Sequence, residues 1–272
     1  MDTGSAQAPP ALASRQYGPI NWLGLKTLIW REVRRFLKVG AQTVFAPLIQ
    51  TLLFMMVFGM VMREGNWPGS ARAYADGLAA GLVMMSILSN AFQNSSSSMV
   101  IAKVQGNSVD FLMPPLSALE ITIAFIAGAA ARGMLVGFAS LIAVAWLANV
   151  IPAHPLIALY YALVAAIIFG AIGLIGGIWA DKFDHLAAVT NFVIVPLTFL
   201  SGTFYSTEVL PEPIRTISHY NPVFSLIDGF RYGFIGASDA PLPLGALITG
   251  AVAVALSWAS WAMLKSGYRL RS

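Results

Sequence analysis

Six stretches of this sequence are each long and apolar enough to cross a lipid bilayer: residues 41–62, 75–100, 118–150, 155–180, 185–202 and 242–264. A spanning helix needs roughly 20 predominantly apolar residues, because the hydrocarbon core of a bilayer is about 30 Å thick. A soluble chain of 272 residues has no use for six such runs. Composition agrees: 57% of residues are hydrophobic and only 10% charged, against about 25% charged in a typical soluble domain. The runs are continuous and not alternating. That pattern favours helices, which satisfy their own backbone hydrogen bonds in lipid, over an outer-membrane barrel. The predicted fold is an all-α integral membrane protein with six transmembrane helices. Residues 1–20, rich in Ala, Pro, Ser and Gln, read as a disordered tail with no secretory-signal core, and residues 21–272 as one transmembrane domain.

Charge distribution gives an orientation. With six spans and a cytoplasmic N-terminus, eleven basic residues fall inside: Arg15, Lys26, Arg31, Arg34, Arg35, Lys38, Lys103, Lys182, Lys265, Arg269 and Arg271. Four fall outside: Arg63, Arg72, Arg215 and Arg231. The positive-inside rule therefore predicts both termini in the cytoplasm.

Several chemistries are excluded. The chain has no cysteine, so disulfides, thiolate catalysis and cysteine-held metals drop out. The three histidines, His154, His185 and His219, are far apart and show no metal-binding spacing. There is no phosphate-binding loop of the G-x-x-x-x-G-K-[ST] type and no G-x-S-x-G nucleophile turn. Asp76, Glu120 and Asp228 lie near span ends and do not form a buried acid pair by sequence. Nothing here suggests nucleic-acid binding. If the chain does work, the energy comes from an ion gradient or from a partner.

The material between and within the spans carries the functional signal. Over residues 21–39, Trp22, Leu25, Ile29, Val33 and Phe36 recur at helical spacing, with Lys26, Thr27, Arg31, Arg34, Arg35 and Lys38 filling much of the rest. A basic amphipathic helix next to a span should lie among the headgroups, held by apolar burial and anionic lipid. It serves either as a topology anchor or as a helix that passes force from a cytosolic partner. The second span changes character partway, with Ser86, Asn90, Gln93, Asn94 and Ser97 largely sharing one face. Such a stripe serves interhelical packing or lines a path.

In the loop that follows, Gly106, Asn107 and Ser108 form a turn and helix-start signal. A short helix is predicted over 109–113, formed by Val109, Asp110, Phe111, Leu112 and Met113 and stopped by Pro114 and Pro115. Its apolar face exceeds what a connector needs and suggests a docking site for another protein. Arg132 is a charge inside a span, set among small residues. An intramembrane charge points to function by default, although a structural arginine is an equal reading, and sequence assigns it no partner. The fifth span is interrupted by Pro196 and runs into Leu200, Ser201 and Gly202. Beyond it, Phe224, Ile227, Phe230 and Phe234 share helical spacing with Asp228 and Arg231, after the start signal Asn221-Pro222. This predicts an outer interfacial or re-entrant helix between spans five and six, a geometry tolerated where protein covers it or it lines a cavity.

In this order the parts resemble the membrane (permease) subunit of type 2 ATP-binding cassette exporters, over nearly the whole chain. The residues that carry the resemblance are Met113-Pro114-Pro115-Leu116-Ser117, Leu200-Ser201-Gly202, His219-Tyr220-Asn221-Pro222 and Arg231. The resemblance implies that the segment from Asn107 to Pro115 is a coupling helix that docks on an ATPase subunit, with the 21–39 helix beside it as a connecting helix. It also implies that ATP and Mg are bound by that partner, that this chain carries no cofactor, and that a second copy of the chain completes the transporter. Spans two and five would line a route at the two-fold interface, with Asn90, Asn94, Asn191 and Thr198 as polar candidates. The cargo would be an amphipathic drug, lipid or glycan leaving the cytoplasm across the inner membrane. The family's coupling loop often carries a more charged run, whereas Lys103-Val104-Gln105-Gly106-Asn107 keeps the glycine and loses most of the charge. The competing class is a stand-alone gradient-driven transporter or channel, which calls for buried titratable groups and broken helices in matched halves.

Overall fold

The computed structural model describes residues 18, 20–64, 71–107, 109–148, 151–204, 211–212 and 221–269, and its regular structure is helical throughout these residues. Most of the expected N-terminal tail, Ser108, and the His219-Tyr220 pair lie outside the described residues. In chain order the helices are α1 (Trp22–Leu37), α2 (Gly40–Glu64), α3 (Ala71–Val104), α4 (Val109–Leu112), α5 (Ala118–Ala148), α6 (Pro155–Trp179), α7 (Phe183–Thr203), α8 (Pro222–Ile235) and α9 (Leu242–Ser266). Among them α2, α3, α5, α6, α7 and α9 are long and apolar enough to cross a membrane, one for each predicted run. The largest boundary differences are at the two ends of the second run, where the helix begins at Ala71 and continues past residue 100 to Val104.

α3 sits at the centre, packed against α2, α5, α6 and α8. Met84, Leu88 and Phe92 are buried on its apolar side. Much of its serine run is consumed by helix packing. Ser95 Oγ donates to Gly170 O of α6 at 2.7 Å, and Ser96 Oγ donates to its own helix at Phe92 O, also 2.7 Å. α6 comes this close because glycines face α3. A Cβ at Gly173 would run into Phe92 O and Ser95 Oγ, and one at Gly177 would lie 2.9 Å from Ser96 O. Small residues allow such approach in lipid, where dispersion and interhelical hydrogen bonds drive association.

The basic end of the bundle is laced by polar side chains. Ser117 and Glu120 form a capping box at the start of α5: Glu120 Oε2 accepts from Ser117 N at 2.6 Å, and Ser117 Oγ accepts from Glu120 N at 3.3 Å. The other oxygen of Glu120 accepts from Asn21 N, at the cap of α1, which ties the two helix starts together. At the far end of α6, Lys103 Nζ donates to Ile178 O and Ala180 O at 2.8 Å each, and Arg269 Nη1 donates to Trp179 O at 2.8 Å. Both cations also reach Asp181 at 3.3 Å. The last carbonyls of a helix carry partial negative charge and lack intrahelical donors, so two cations there complete the cap.

The predicted break of the fifth span falls elsewhere. α7 passes through Pro196 as a helix, with wide π turns on either side at Thr190–Ile194 and Phe199–Thr203. The first π turn loosens the backbone ahead of the proline, which relieves the ring clash that would otherwise kink it. The chain leaves helical geometry at Ser201 and Gly202, where Gly202 takes φ +83°. Only glycine adopts that left-handed conformation at low cost. α8 is fastened to this point, since Arg231 donates to Gly202 O and Asn221 Nδ2 donates to Ser201 Oγ at 3.1 Å.

α8 itself begins at the predicted signal, with Asn221 Oδ1 accepting from Val223 N at 2.9 Å and Pro222 in the first turn. It is buried on nearly all sides against α6, α9 and α3. Its two charged residues are buried with it and are satisfied by protein, Asp228 by Ser238 and Asp239 N and Arg231 by Gly202 O.

Candidate functional site

A cavity of about 370 Å³ lies between α2, α3 and α5. Its α3 wall is the polar stripe: Ser86, Asn90 and Gln93 line it, spaced so that they face one side of the helix. α2 contributes Gln42, Gln50 and Thr51, and α5 contributes Arg132. The sequence reading did not single out the polar residues of α2. Thr43 and Gln50, seven residues apart, share one face of that helix with Gln42 and Thr51 at its edges, a signal that the high apolar content of the run obscures.

The wall is organised by a chain of hydrogen bonds. Thr51 Oγ1 and Ser86 Oγ are 3.1 Å apart, and Asn90 Nδ2 donates to Ser86 O at 3.0 Å. That bond fixes which way the Asn90 amide points, and its Oδ1 accepts from Arg132 Nε at 3.3 Å. Arg132 thus acquires the partner that sequence could not give it, and the partner is neutral. The charge acting on Arg132 from nearby is Arg35, of the same sign.

One turn toward the basic end, Asn94 is fully buried and does not line the cavity. Arg35 of α1 holds it, donating from Nη2 to Asn94 O at 2.6 Å and to Asn94 Oδ1 at 2.9 Å, while Nη1 donates to Ser97 Oγ at 3.2 Å. Behind this contact sits Glu32, with no exposed surface, paired to Arg31 at 3.0 Å and to Arg35 at 3.5 Å. Burial pulls the Arg35 guanidinium below its usual range, and the Glu32 carboxylate opposes that shift. The buried face of α1 is therefore Leu25, Leu28, Glu32 and Phe36, not the Trp22 side, and Trp22 is 70% exposed. The buried acid rotates the helix because its two arginine partners can follow it inward. Glu32 is a residue the sequence reading missed. The signal was an acid flanked by basic residues at positions i−1 and i+3 within a basic helix.

α4 is in place as a short helix, Val109–Leu112, after a turn in which Gly106 takes φ +71°. Asp110 N donates to Asn107 O at 3.0 Å, which starts the helix. Phe111 is buried, with its ring edge-on to Phe125 at 5.5 Å between centroids and the Arg31 guanidinium 5.7 Å from its own. Leu112 and Met113 point outward, Met113 at 79% exposure, and Pro114 and Pro115 follow, exposed. Arg34 lies over Trp30 of its own helix at 5.3 Å.

The fifth span contributes differently from the expectation. Thr198 is buried and donates to Val195 O at 2.8 Å, Asn191 is exposed, and neither borders the cavity. What α7 does bring near is aromatic. Phe199 and Phe204 cluster with Phe54 and Phe58 of α2, with Phe54–Phe204 centroids at 5.7 Å and Phe58–Phe204 at 4.9 Å. Phe54 also lines the cavity, so this cluster closes it at the end away from α1.

At the opposite end, Asp228 is buried and accepts from Ser238 Oγ at 2.6 Å and Asp239 N at 3.0 Å. Burial pushes its carboxyl above the usual range, with those hydrogen bonds acting against the shift. Arg231, besides holding Gly202, stands 4.0 Å from Asp239.

Six helices long and apolar enough to cross a membrane, a polar cavity between three of them and a short separate helix, α4, at one end are the parts of a polytopic transport subunit. The family model for the ABC-2 type transporter matches residues 24–235, and the chain belongs to that family. It is 35% identical over 256 residues to the inner membrane transport permease YadH of Escherichia coli, which covers 92% of this chain and 98% of that protein. It is also similar to nodulation protein J of Bradyrhizobium diazoefficiens, 28% identical over 265 residues, covering 93% and 94% of the two chains. The protein of that name from Neorhizobium galegae is 27% identical over 243 residues, covering 85% and 88%. The chain is thus the permease of an ATP-binding cassette transporter, and its family implies pairing with an ATP-binding cassette ATPase.

Proposed function

We propose that the chain is half of an inner-membrane exporter: a permease that pairs with a second copy of itself and moves an amphipathic drug, lipid or glycan out of the cytoplasm. ATP and Mg are bound and used by the partner ATPase, and this chain carries no cofactor. Both termini face the cytoplasm, with α1 lying among the lipid headgroups and α8 forming the outer re-entrant segment held by Asn221, Pro222, Asp228 and Arg231. Asn191 lies exposed on the span that a second copy would share, so a route lined by Ser86, Asn90 and Asn191 is completed only in the dimer, while Asn94 and Thr198 are buried and support the helices that form it. A closed two-fold dimer is the commonest homo-oligomer and would place the same face of each copy against the other.

The observation that supports this reading best is a continuous mechanical path. Phe111 seats α4 beneath Arg31 of α1. Arg35, one turn further along α1, grips Asn94, which lies one turn from Asn90 at the cavity. A push on the segment Gly106, Asn107, Ser108, Val109, Asp110, Phe111, Leu112, Met113, Pro114 and Pro115 would reach the cavity wall through α1, with Arg31 and Arg35 as the connecting residues and Arg34 held against Trp30 of the same helix. Removing residues 107–113 should abolish co-purification of the ATPase while the chain still inserts in the membrane. Retained association would defeat the coupling assignment.

A further inference from the structure

Arg132 sits at membrane depth on α5 and, among the described residues, makes a single hydrogen bond, from Nε to the neutral Asn90 Oδ1. Among the described residues no carboxylate pairs with it, and the charge that acts on it from nearby is Arg35, also positive. Its two terminal nitrogens have no protein partner among the described residues, and the side chain lines the cavity. A guanidinium is a fork of fixed donors suited to bidentate binding of phosphate or carboxylate. Intramembrane charges are otherwise paired with one another or with carbonyls. The cavity, about 370 Å³ with Ser86 and Gln93 on its wall, suits a polar headgroup and not a whole lipid. Phe45, Ile49 and Leu53, each next in sequence to a lining residue of α2 (Ala46, Gln50 and Phe54), form an exposed apolar ridge along which a tail would lie.

We propose that this cavity recognises the oxyanion, phosphate or carboxylate, of an amphipathic substrate, with Arg132 as the binding residue and Asn90 as the residue that orients it. The inference rests on the exporter reading above and narrows its cargo to anionic amphiphiles. The charge of Arg132, which the neutral Asn90 leaves uncompensated, attracts an anion and disfavours a cationic amphiphile.

The test uses the purified full-length chain in a neutral maltoside detergent, titrated with decyl phosphate, decyltrimethylammonium or inorganic phosphate and read by thermal unfolding through tryptophan fluorescence. Decyl phosphate should stabilise the wild type and decyltrimethylammonium should not. R132Q should weaken decyl phosphate binding at least tenfold, and R132K should keep it within tenfold. N90D should mimic R132Q, because the new carboxylate occupies the guanidinium from within. If R132Q does not fold, R132K and N90D carry the test alone. Stabilisation by decyl phosphate but not by inorganic phosphate assigns the site to a lipid-like headgroup, and equal effects of both assign it to the free oxyanion. Wild-type binding by R132Q or N90D, or no stabilisation by either phosphate, overturns the proposal. The two readings fail separately. Indifference to decyl phosphate overturns the headgroup site whatever the ATPase does, and a chain that captures no ATPase overturns the exporter reading whatever decyl phosphate does.

Discussion

Arg35 and Asn94 are joined twice, through the side-chain oxygen at 2.9 Å and the main-chain oxygen at 2.6 Å, so one arginine on α1 holds both the backbone and the amide of a buried residue on α3. Because the main-chain oxygen is included, α1 is tied to the axis of α3 and not only to a side chain that could rotate away.

Breaking that tie should be measurable as stability. Arg35→Gln is expected to cost about 1.5–3 kcal/mol, the range for hydrogen bonds to a charged group. It also leaves Glu32 buried with Arg31 as its remaining cation. Adding Glu32→Gln should then cost less than the two single changes summed, since the residues share one network. Thermal unfolding of the purified chain in detergent reads both effects. Strict additivity would show that the two residues act independently.

Phe111 and Met113 are two residues apart on opposite sides of the same turn, one buried and one 79% exposed. Phe111→Ala should destabilise the chain by about 3–5 kcal/mol, as for a large aromatic removed from a core. Met113→Ser should leave unfolding unchanged and reduce the amount of ATPase recovered by co-purification. A Met113→Ser chain that retains its partner in full would place the docking surface elsewhere.

The α3–α6 contact has no room for a side chain at Gly173. Gly173→Leu should prevent close packing and cost at least about 1–3 kcal/mol by overpacking, seen as a loss of monodisperse protein on gel filtration. Gly250→Leu is the control, because the nearest atom to a Cβ there is Tyr160 Oη at 3.6 Å, and it should behave as wild type.

Asp228 gives a pH dependence. Burial raises its carboxyl above the usual range, more than Ser238 and Asp239 lower it. The folded chain therefore binds this proton more tightly than the unfolded chain does. Its contribution to stability is full below the unfolded value near pH 4 and is lost as pH rises through the raised folded value. Asp228→Asn, which does not titrate, should flatten this part of the stability profile measured between pH 4 and pH 8. An unchanged profile would assign the dependence to another group.

Features set by local composition were legible in the chain, and those set by distant pairing were not. The six spans could be read because continuous apolar runs have few alternative uses, and the starts of α4 and α8 because Gly106-Asn107 and Asn221-Pro222 are local signals. The α3 stripe could be read as polar, but its members divide. Ser86 and Asn90 line the cavity, Asn94 is spent on Arg35, and Ser95 on Gly170. Nothing in the periodicity of α3 separates these uses, because each depends on a helix far away in sequence. Pro196 misled for a related reason, since a π turn just before it absorbs the distortion that a lone proline would cause. The Ser117–Glu120 capping box was visible in principle. Its continuation to Asn21 required the fold.

The position of α3 has a bearing on how the protein is made. Of the six spans it is the least apolar and the most enclosed. A helix of that kind enters lipid reluctantly and depends on later neighbours to cover its serines. The acceptor for Ser95, Gly170, lies 75 residues further along the chain. At typical synthesis rates that is a delay of roughly 4–15 s. For that interval the ribosome-bound chain holds a span whose Ser95 hydroxyl can bond only to its own helix, at Ala91 O and Phe92 O. Membrane insertion of the N-terminal half is therefore provisional until α6 emerges, and quality control in the cell has its widest opportunity to act before the second half of the chain exists.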